Sequence, residues 1–206
     1  MLKVGLTGGL ATGKSFVGAA LAELGCYLIK ADELGHQVLL PGGEAYDGVV
    51  REFGARILNP DGTIDRKRLA ADVFDNPERL AALNRLVHPP VIRREEEFVA
   101  KIAAREPGAI AVVEAAILIE TGSYKRFDAI ILAVCGEEQQ VERAVLRDGS
   151  DPEVVRARIR RQMPLDEKRK YATYIIDTSG SKEDTLRQTR AAYNLLRSIP
   201  QCSSAS

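Results

Sequence analysis

The chain has 206 residues, enough for one sizeable domain with an inserted subdomain and a full hydrophobic core. Its 29 basic and 29 acidic residues cancel, so no bulk field draws it to nucleic acid or an anionic membrane, and no apolar run reaches the roughly 20 residues of a transmembrane helix. Cys26, Cys135 and Cys202 form no CxxC pair and His36 and His88 fall in no metal-ligand pattern, which argues against a disulfide scaffold and a structural zinc site.

The N-terminus enters the first element directly, without the shape of a signal peptide, so a cytoplasmic location is expected. Leu2-Lys3-Val4-Gly5-Leu6-Thr7 suits a buried strand. Gly8-Gly9-Leu10-Ala11-Thr12-Gly13-Lys14-Ser15 follows and reads G-x-x-x-x-G-K-S, the phosphate-cradling P-loop pattern. Four fixed positions match by accident in a chain this long on the order of one time in a hundred. The flanks strengthen the reading. After the loop, Phe16 to Leu24 places Val17, Ala20, Leu21 and Leu24 on one helical face, and Gly25 supplies the stop. Glycines let backbone N–H groups converge on an anion, the helix start adds its positive dipole end, Lys14 brings a compact cation to the outer phosphates, and the Ser15 hydroxyl suits Mg²⁺.

Cys26-Tyr27-Leu28-Ile29 predicts a second strand, ending at Lys30-Ala31-Asp32. Ligands collect at the carboxyl ends of strands in open α/β sheets, so Asp32 is expected near the P-loop mouth, with catalysis and N-capping of a helix over Glu33 to Leu40 as equal alternatives. From there to Glu106 no long strand is expected. Pro41-Gly42-Gly43 and Asn59-Pro60-Asp61-Gly62 read as turns. Asp65 can cap a helix from Arg66, and Asn76-Pro77 starts another, which His88-Pro89-Pro90 is expected to break before a long polar helix. This helical block, residues 34–106, is far longer than an ordinary βα connection, and is a candidate second-substrate domain between the core segments 1–33 and 107–206.

Ala109 to Val113 reads as a buried parallel strand. It ends at Glu114, which either holds Mg²⁺ or its water or turns out to solvent. Ala129 to Val134 and Tyr174 to Ile176 are the last two strands, giving a parallel five-stranded α/β sheet flanked by helices. Ser181 with Asp184 resembles a capping box, and the small polar tail, Gln201 to Ser206, is expected to fray. Between those strands, residues 141–170 form a basic segment with Arg143, Arg147, Arg156, Arg158, Arg160, Arg161, Lys168, Arg169 and Lys170. Most of these cations suit a solvated helix surface. Phosphoryl transfer also needs cations near the transferred group and a cover against water, which a helical lid here would supply. Arg147, just before the Asp148-Gly149 turn, is the foremost candidate for a catalytic arginine.

A guanine-reading N-K-x-D and a D-x-x-G switch are both absent, which argues against a GTPase switch. A compact α/β core, an arginine-bearing lid, a second-substrate insertion and an acid near the γ-phosphate fit a small-molecule kinase. The alternatives are a kinase of another nucleoside-like or small-metabolite acceptor, and a nucleotide-binding protein without phosphotransfer.

From Leu2 to about Arg197 the sequence resembles the dephospho-CoA kinase family. Gly5-Leu6-Thr7-Gly8-Gly9 with Gly13-Lys14-Ser15 is similar to the family's G-L-T-G-G-I-G-S-G-K-S. Ala31-Asp32 matches the end of its D-A-D, and Pro41-Gly42 its P-G. Phe53-Gly54, Asp61-Gly62 and Ile64-Asp65-Arg66 resemble its F-G and D-G-x-(I/L)-x-R. Asn84, Leu86, His88 and Pro89 are similar to L-N-x-I-x-H-P, and Ile117 to Glu120 to P-L-L-F-E. Arg143, Arg147-Asp148, Arg158, Gln162-Met163 and Lys168 fit the lid's R-x-x-x-R-D, R-x-x-x-Q and later K; Ile176-Asp177 and Gly180 fit V-I-D-N-x-G. Lys30, Ala116, Thr173 and Thr178 depart from the pattern, Lys30 at the first acid of D-A-D and Thr178 at its usual asparagine.

The resemblance implies a P-loop kinase that transfers the ATP γ-phosphate to the ribose 3′-hydroxyl of dephospho-CoA, with no nucleic-acid or membrane partner, as a monomer or small homo-oligomer. It implies Asp32, Lys14 and Arg147 as catalytic residues. Gly8, Gly9, Leu10, Ala11, Thr12, Gly13, Lys14, Ser15 and Phe16 would bind ATP, with Arg143 and Gly180. Asp32, His88, Glu114, Arg158 and Gln162 would bind the acceptor, and Ser15 would take Mg²⁺, with Asp32 or Glu114 directly or through water.

Overall fold

The computed structural model describes residues 1–74 and 76–199; the tail from Gln201, with Cys202, lies outside them. The backbone divides into two compact units, residues 1–30 with those from 101 onward, and residues 31–100.

The first unit is built on five parallel strands, β1 Leu2–Gly8, β2 Tyr27–Lys30, β3 Ile110–Glu114, β4 Ala129–Val134 and β5 Tyr174–Asp177, in the order β2-β3-β1-β4-β5. β1 lies between β3 and β4, with Leu6 opposite Glu114 on one side and Gly8 opposite Ala133 on the other. The chain fills β2 and β3 on one side of β1 and then crosses to β4 and β5 on the other, and a crevice forms at the carboxyl ends where such a sheet switches direction. Every residue of β3 and β4 is buried. That is why both runs are continuously apolar rather than alternating: helices cover both faces of a parallel sheet. On one face, Val17 and Leu21 of α1 (Lys14–Glu23) and Ala192 and Leu196 of α9 (Lys182–Ser198) pack with Val4, Leu6, Val112 and Ile131. Each large side chain so buried contributes roughly 1.5–3 kcal/mol. α9 starts with the expected capping box, Ser181 and Asp184 bonding each other's backbone N–H.

Three helices follow β4: α6 Glu137–Asp148, α7 Pro152–Arg160 and α8 Leu165–Arg169. Gly149, at φ +63°, ends α6, and Asp151 with Pro152 opens α7, the carboxylate accepting Glu153 N–H. Val141, Ala144 and Val155 join α6 to α7 through an apolar seam that also takes in Leu10 and Ala11.

The unit 31–100 holds α2 Ala31–Gln37, α3 Tyr46–Phe53, α4 Arg66–Phe74 and the greater part of α5 Pro77–Arg105, around Val38, Val49, Phe53, Ile57, Leu69 and Val91. Asp65 caps α4 through bonds from Lys67 and Arg68 N–H, and Asn76 caps α5 through Arg79 N–H, as their positions predict. Two expectations fail. α2 starts two residues earlier than predicted and stops at Gln37, so Asp32 lies in its first turn and not at its N-cap. The His88-Pro89-Pro90 break does not occur, and α5 runs through both prolines. Each proline removes one backbone hydrogen bond and crowds the preceding turn, typically at ~3 kcal/mol. Leu83, Leu86 and Val87 before the pair and Val91 after it share one apolar cluster, and burying that stripe outweighs the local penalty. No described helix is long and apolar enough to cross a membrane.

Candidate active site

The Gly8–Ser15 loop joins β1 to α1 at the switch point of the sheet. Gly8 has no room for a side chain: a Cβ would sit 2.7 Å from the Ala133 carbonyl oxygen and 3.0 Å from Lys14 Cγ. Gly13, in the left-handed region at φ +81°, turns the loop into α1. Ala11 holds φ +54°, a conformation that costs a non-glycine residue about 1–2 kcal/mol. Such a cost persists only where the surroundings enforce it. Here Thr12, fully buried, donates its hydroxyl to Gly9 O at 3.1 Å, and the Thr12 carbonyl accepts from Thr178 Oγ1 at 2.9 Å.

Thr178 ties three elements together. Its hydroxyl also lies 3.2 Å from Val134 O, at the end of β4, and accepts from Arg143 Nη1 at 3.0 Å, while Arg143 Nη2 bonds the Thr178 carbonyl at 2.6 Å. Arg143 of α6 thus reaches the loop after β5, and through it the P-loop. At Gly180, two residues on, an added Cβ would stand 3.2 Å from Asp184 Oδ2.

On the other side of the loop, Ser15 Oγ lies 2.6 Å from Glu114 Oε1. Glu114 is buried at the end of β3, and its Oε2 is a buried oxygen with no hydrogen-bond partner. A carboxylate oxygen left so costs several kcal/mol unless something binds it. The alternative of a charge turning out to solvent does not hold. A hydroxyl and a carboxylate beside a phosphate loop are the hard oxygen donors Mg²⁺ takes, usually from one or two side chains plus phosphate and water. Among the described residues no group of three or more His, Cys, Asp or Glu forms a metal cage of its own.

Two contacts join the P-loop to the segment after α7. Gln162 Oε1 accepts Leu10 N–H at 2.8 Å. Lys168, fully buried, donates to Gly8 O at 3.3 Å and Ala116 O at 3.1 Å and pairs with Glu120 at 2.7 Å. A cavity of about 630 Å³ opens beside them, lined among others by Gly9, Gly136, Gln140, Arg160, Gln162 and Ser179.

The predicted site residues therefore fall into three groups. The P-loop, Glu114, Arg143 and Gln162 are joined by direct hydrogen bonds or one shared partner. Arg147 and Arg158 stand apart. Arg147 forms a two-bond pair with its neighbour Asp148 at 2.7 and 2.8 Å, its side chain 58% exposed, and Arg158 reaches the same carboxylate at 4.0 Å. Asp32 and His88 belong to the unit 31–100. There Asp32 is exposed and His88 is half-buried, with burial lowering the imidazole pKa. Cys26 and Cys135 are buried free thiols, Cys26 pushed up to about 11 by burial.

A family model described as dephospho-CoA kinase matches residues 2–184. The chain belongs to the dephospho-CoA kinase family. The dephospho-CoA kinase of Aquifex aeolicus is 38% identical over 200 residues, 97% of this chain and the whole of that one. Among solved structures, TT1252 from Thermus thermophilus superposes with a TM-score of 0.76 at 32% identity, covering 97% of this chain and 98% of that one. The dephospho-CoA kinase of Campylobacter jejuni follows at 0.67 and 26%, covering 95% and 96%.

Within the dephospho-CoA kinase frame, sequence reading gave no specific task to Thr178, a departure from the family pattern, to Glu120, a match to it, or to Lys168, a match placed among the cations of the basic segment. Their partners lie far along the chain, Thr12 166 residues before Thr178 and Gly8 160 before Lys168. The one local signal for Thr178 was its place directly after a strand whose neighbour, β4, abuts the P-loop strand.

Proposed function

We propose that this chain phosphorylates the ribose 3′-hydroxyl of dephospho-CoA with the γ-phosphate of ATP, giving CoA and ADP, the last step of coenzyme A synthesis. The observation that carries the reading is the Ser15–Glu114 pair at the mouth of a P-loop, in a chain that matches the dephospho-CoA kinase family over residues 2–184.

The parts follow from the chemistry of phosphoryl transfer, which asks for positioning and charge stabilisation more than covalent participation. Backbone N–H groups from Gly9 to Ser15 cradle the phosphates, and Lys14 neutralises charge on the transferring group. Ser15 Oγ and the Glu114 carboxylate are the oxygens that would hold Mg²⁺, directly or through water, with Asp32 as the further acid; bound there, the ion would supply positive charge to offset that of the phosphates. Asp32, two residues past the end of β2, accepts or orients the acceptor hydroxyl's proton. Residues 141–170 act as a lid, with Arg147 and Arg143 stabilising charge as it closes, and Arg158 contacting the acceptor. The 34–106 block, His88 included, supplies the other acceptor contacts.

The direct test is product identity. Dephospho-CoA incubated with ATP, Mg²⁺ and the protein is expected to gain the mass of one phosphate, with a phosphorus resonance coupled to the ribose 3′ proton. An unchanged acceptor, or a phosphate elsewhere, contradicts the proposal.

A further inference from the structure

Gln162 follows the end of α7 and lines the cavity beside Gly9. Its Oε1 accepts the Leu10 N–H at 2.8 Å. That N–H is one of the loop donors available to a phosphate anion, and a donor held by a neutral amide oxygen is withheld from it.

Lys14 indicates which phosphate is concerned. Its stem leaves the first turn of α1 and passes the start of the loop, with Cγ 3.0 Å from where a Cβ on Gly8 would stand. A P-loop lysine reaches the outer phosphates. The outer end of the polyphosphate therefore lies at the first loop residues, and the inner phosphates lie towards Gly13 and the α1 N-terminus. Leu10, two residues past Gly8, is on the outer side.

The same segment is held again at residue 168, in a different way. Lys168 donates to the carbonyls of Gly8 and Ala116 and pairs with Glu120. The Lys168 ammonium is fully buried and already holds two carbonyls and a carboxylate, so a phosphate oxygen gains little by competing for it and this anchor stays when nucleotide binds. The Gln162 contact is the exchangeable one of the two.

We propose that Gln162 reads the third phosphate: its amide oxygen holds the Leu10 N–H until a γ-phosphate oxygen takes it, so that ATP, and not ADP, frees residues 152–163 to move about the Lys168 anchor. This rests on the ATP-binding reading above and supplies what that reading lacks, a device that ties lid movement to the phosphorylated state of the nucleotide.

Calorimetric titration with ADP and with the β,γ-imido analogue of ATP, each with Mg²⁺, tests it on the full chain without any acceptor. Gln162→Leu removes the competitor, so the affinity ratio of the analogue to ADP is expected to rise roughly two- to tenfold, the worth of one exchanged hydrogen bond. Gln162→Glu keeps an acceptor for Leu10 but sets a carboxylate against the γ-phosphate, so the ratio is expected to fall by about tenfold or more. A loss of packing alone would shift both nucleotides together. Equal shifts for the two nucleotides, or a ratio that moves the same way in both variants, overturns the proposal while leaving ATP binding intact. A wild-type chain that binds neither nucleotide overturns the kinase reading itself, and this proposal with it.

Discussion

Glu114 and Lys168 are both buried charges beside the P-loop, and they differ in how far they are satisfied. Glu114 has one oxygen on Ser15 and one without a partner. Glu114→Gln keeps its size and replaces a charged oxygen donor with an amide. Turnover is expected to fall about 10²-fold or more, in line with losing one preorganised electrostatic contact. The protein should unfold at nearly the wild-type denaturant midpoint, because an orphan charge has been removed; a large stability loss with normal turnover would make Glu114 structural. Lys168 is the opposite case, with three partners and no exposure. Lys168→Met leaves two carbonyls and Glu120 without their donor. A loss of about 3 kcal/mol is expected, at the low end of the range for a broken buried pair because the Glu120 side chain is 23% exposed. Urea unfolding measures it, and an unchanged midpoint would refute the strut. Asp32→Asn tests the proposed proton acceptor. A kcat drop of roughly 10²–10⁴ is expected with ATP affinity little changed, and near-normal kcat would remove Asp32 from the chemistry.

Among the elements, α5 shows where local and tertiary preferences diverge. Its proline pair reads locally as a stop, yet the apolar stripe on both sides carries the helix through. His88 sits at that point, half-buried, with burial holding its pKa below the ordinary 6.5. An unfolded chain takes up a proton at that site near pH 6.5, while the folded chain resists it. The unfolded state then binds more protons, so stability falls as pH drops through about 6.5. His36, lowered first by burial and then by the Arg66 charge, adds to the effect with the same sign. The carboxylates held low by hydrogen-bonded partners, such as Glu44 by Arg94, titrate below this window and leave it clear. His88→Asn is expected to flatten the decline in urea midpoint between pH 7.5 and 5.5. A slope equal to the wild type's would show that His88 is not the group involved.

The strands and, Asp32 apart, the helix caps were legible in the sequence because their signals are local. A run such as Ala129 to Val134 has no polar face to expose, and Asp65, Asn76 and Ser181 each bond N–H groups two or three residues away. The P-loop was legible for the same reason, since its glycines answer to the shape of one short turn. The supports of the site were not. Lys168 has the composition of a surface residue and is buried only because Gly8, Ala116 and Glu120 converge on it from other elements. Thr178 looks like an ordinary loop residue until β4 and β5 pair and set it against Thr12.

For the molecule as a whole, the family match and the site together mean one P-loop core serving one acceptor. The most direct measurement is ADP formation with ATP and Mg²⁺ in the presence of dephospho-CoA, set against adenosine, nucleoside monophosphates and no acceptor at all. Strong stimulation by dephospho-CoA alone is expected. Equal rates with and without it, or stimulation by a different acceptor, would contradict the assignment.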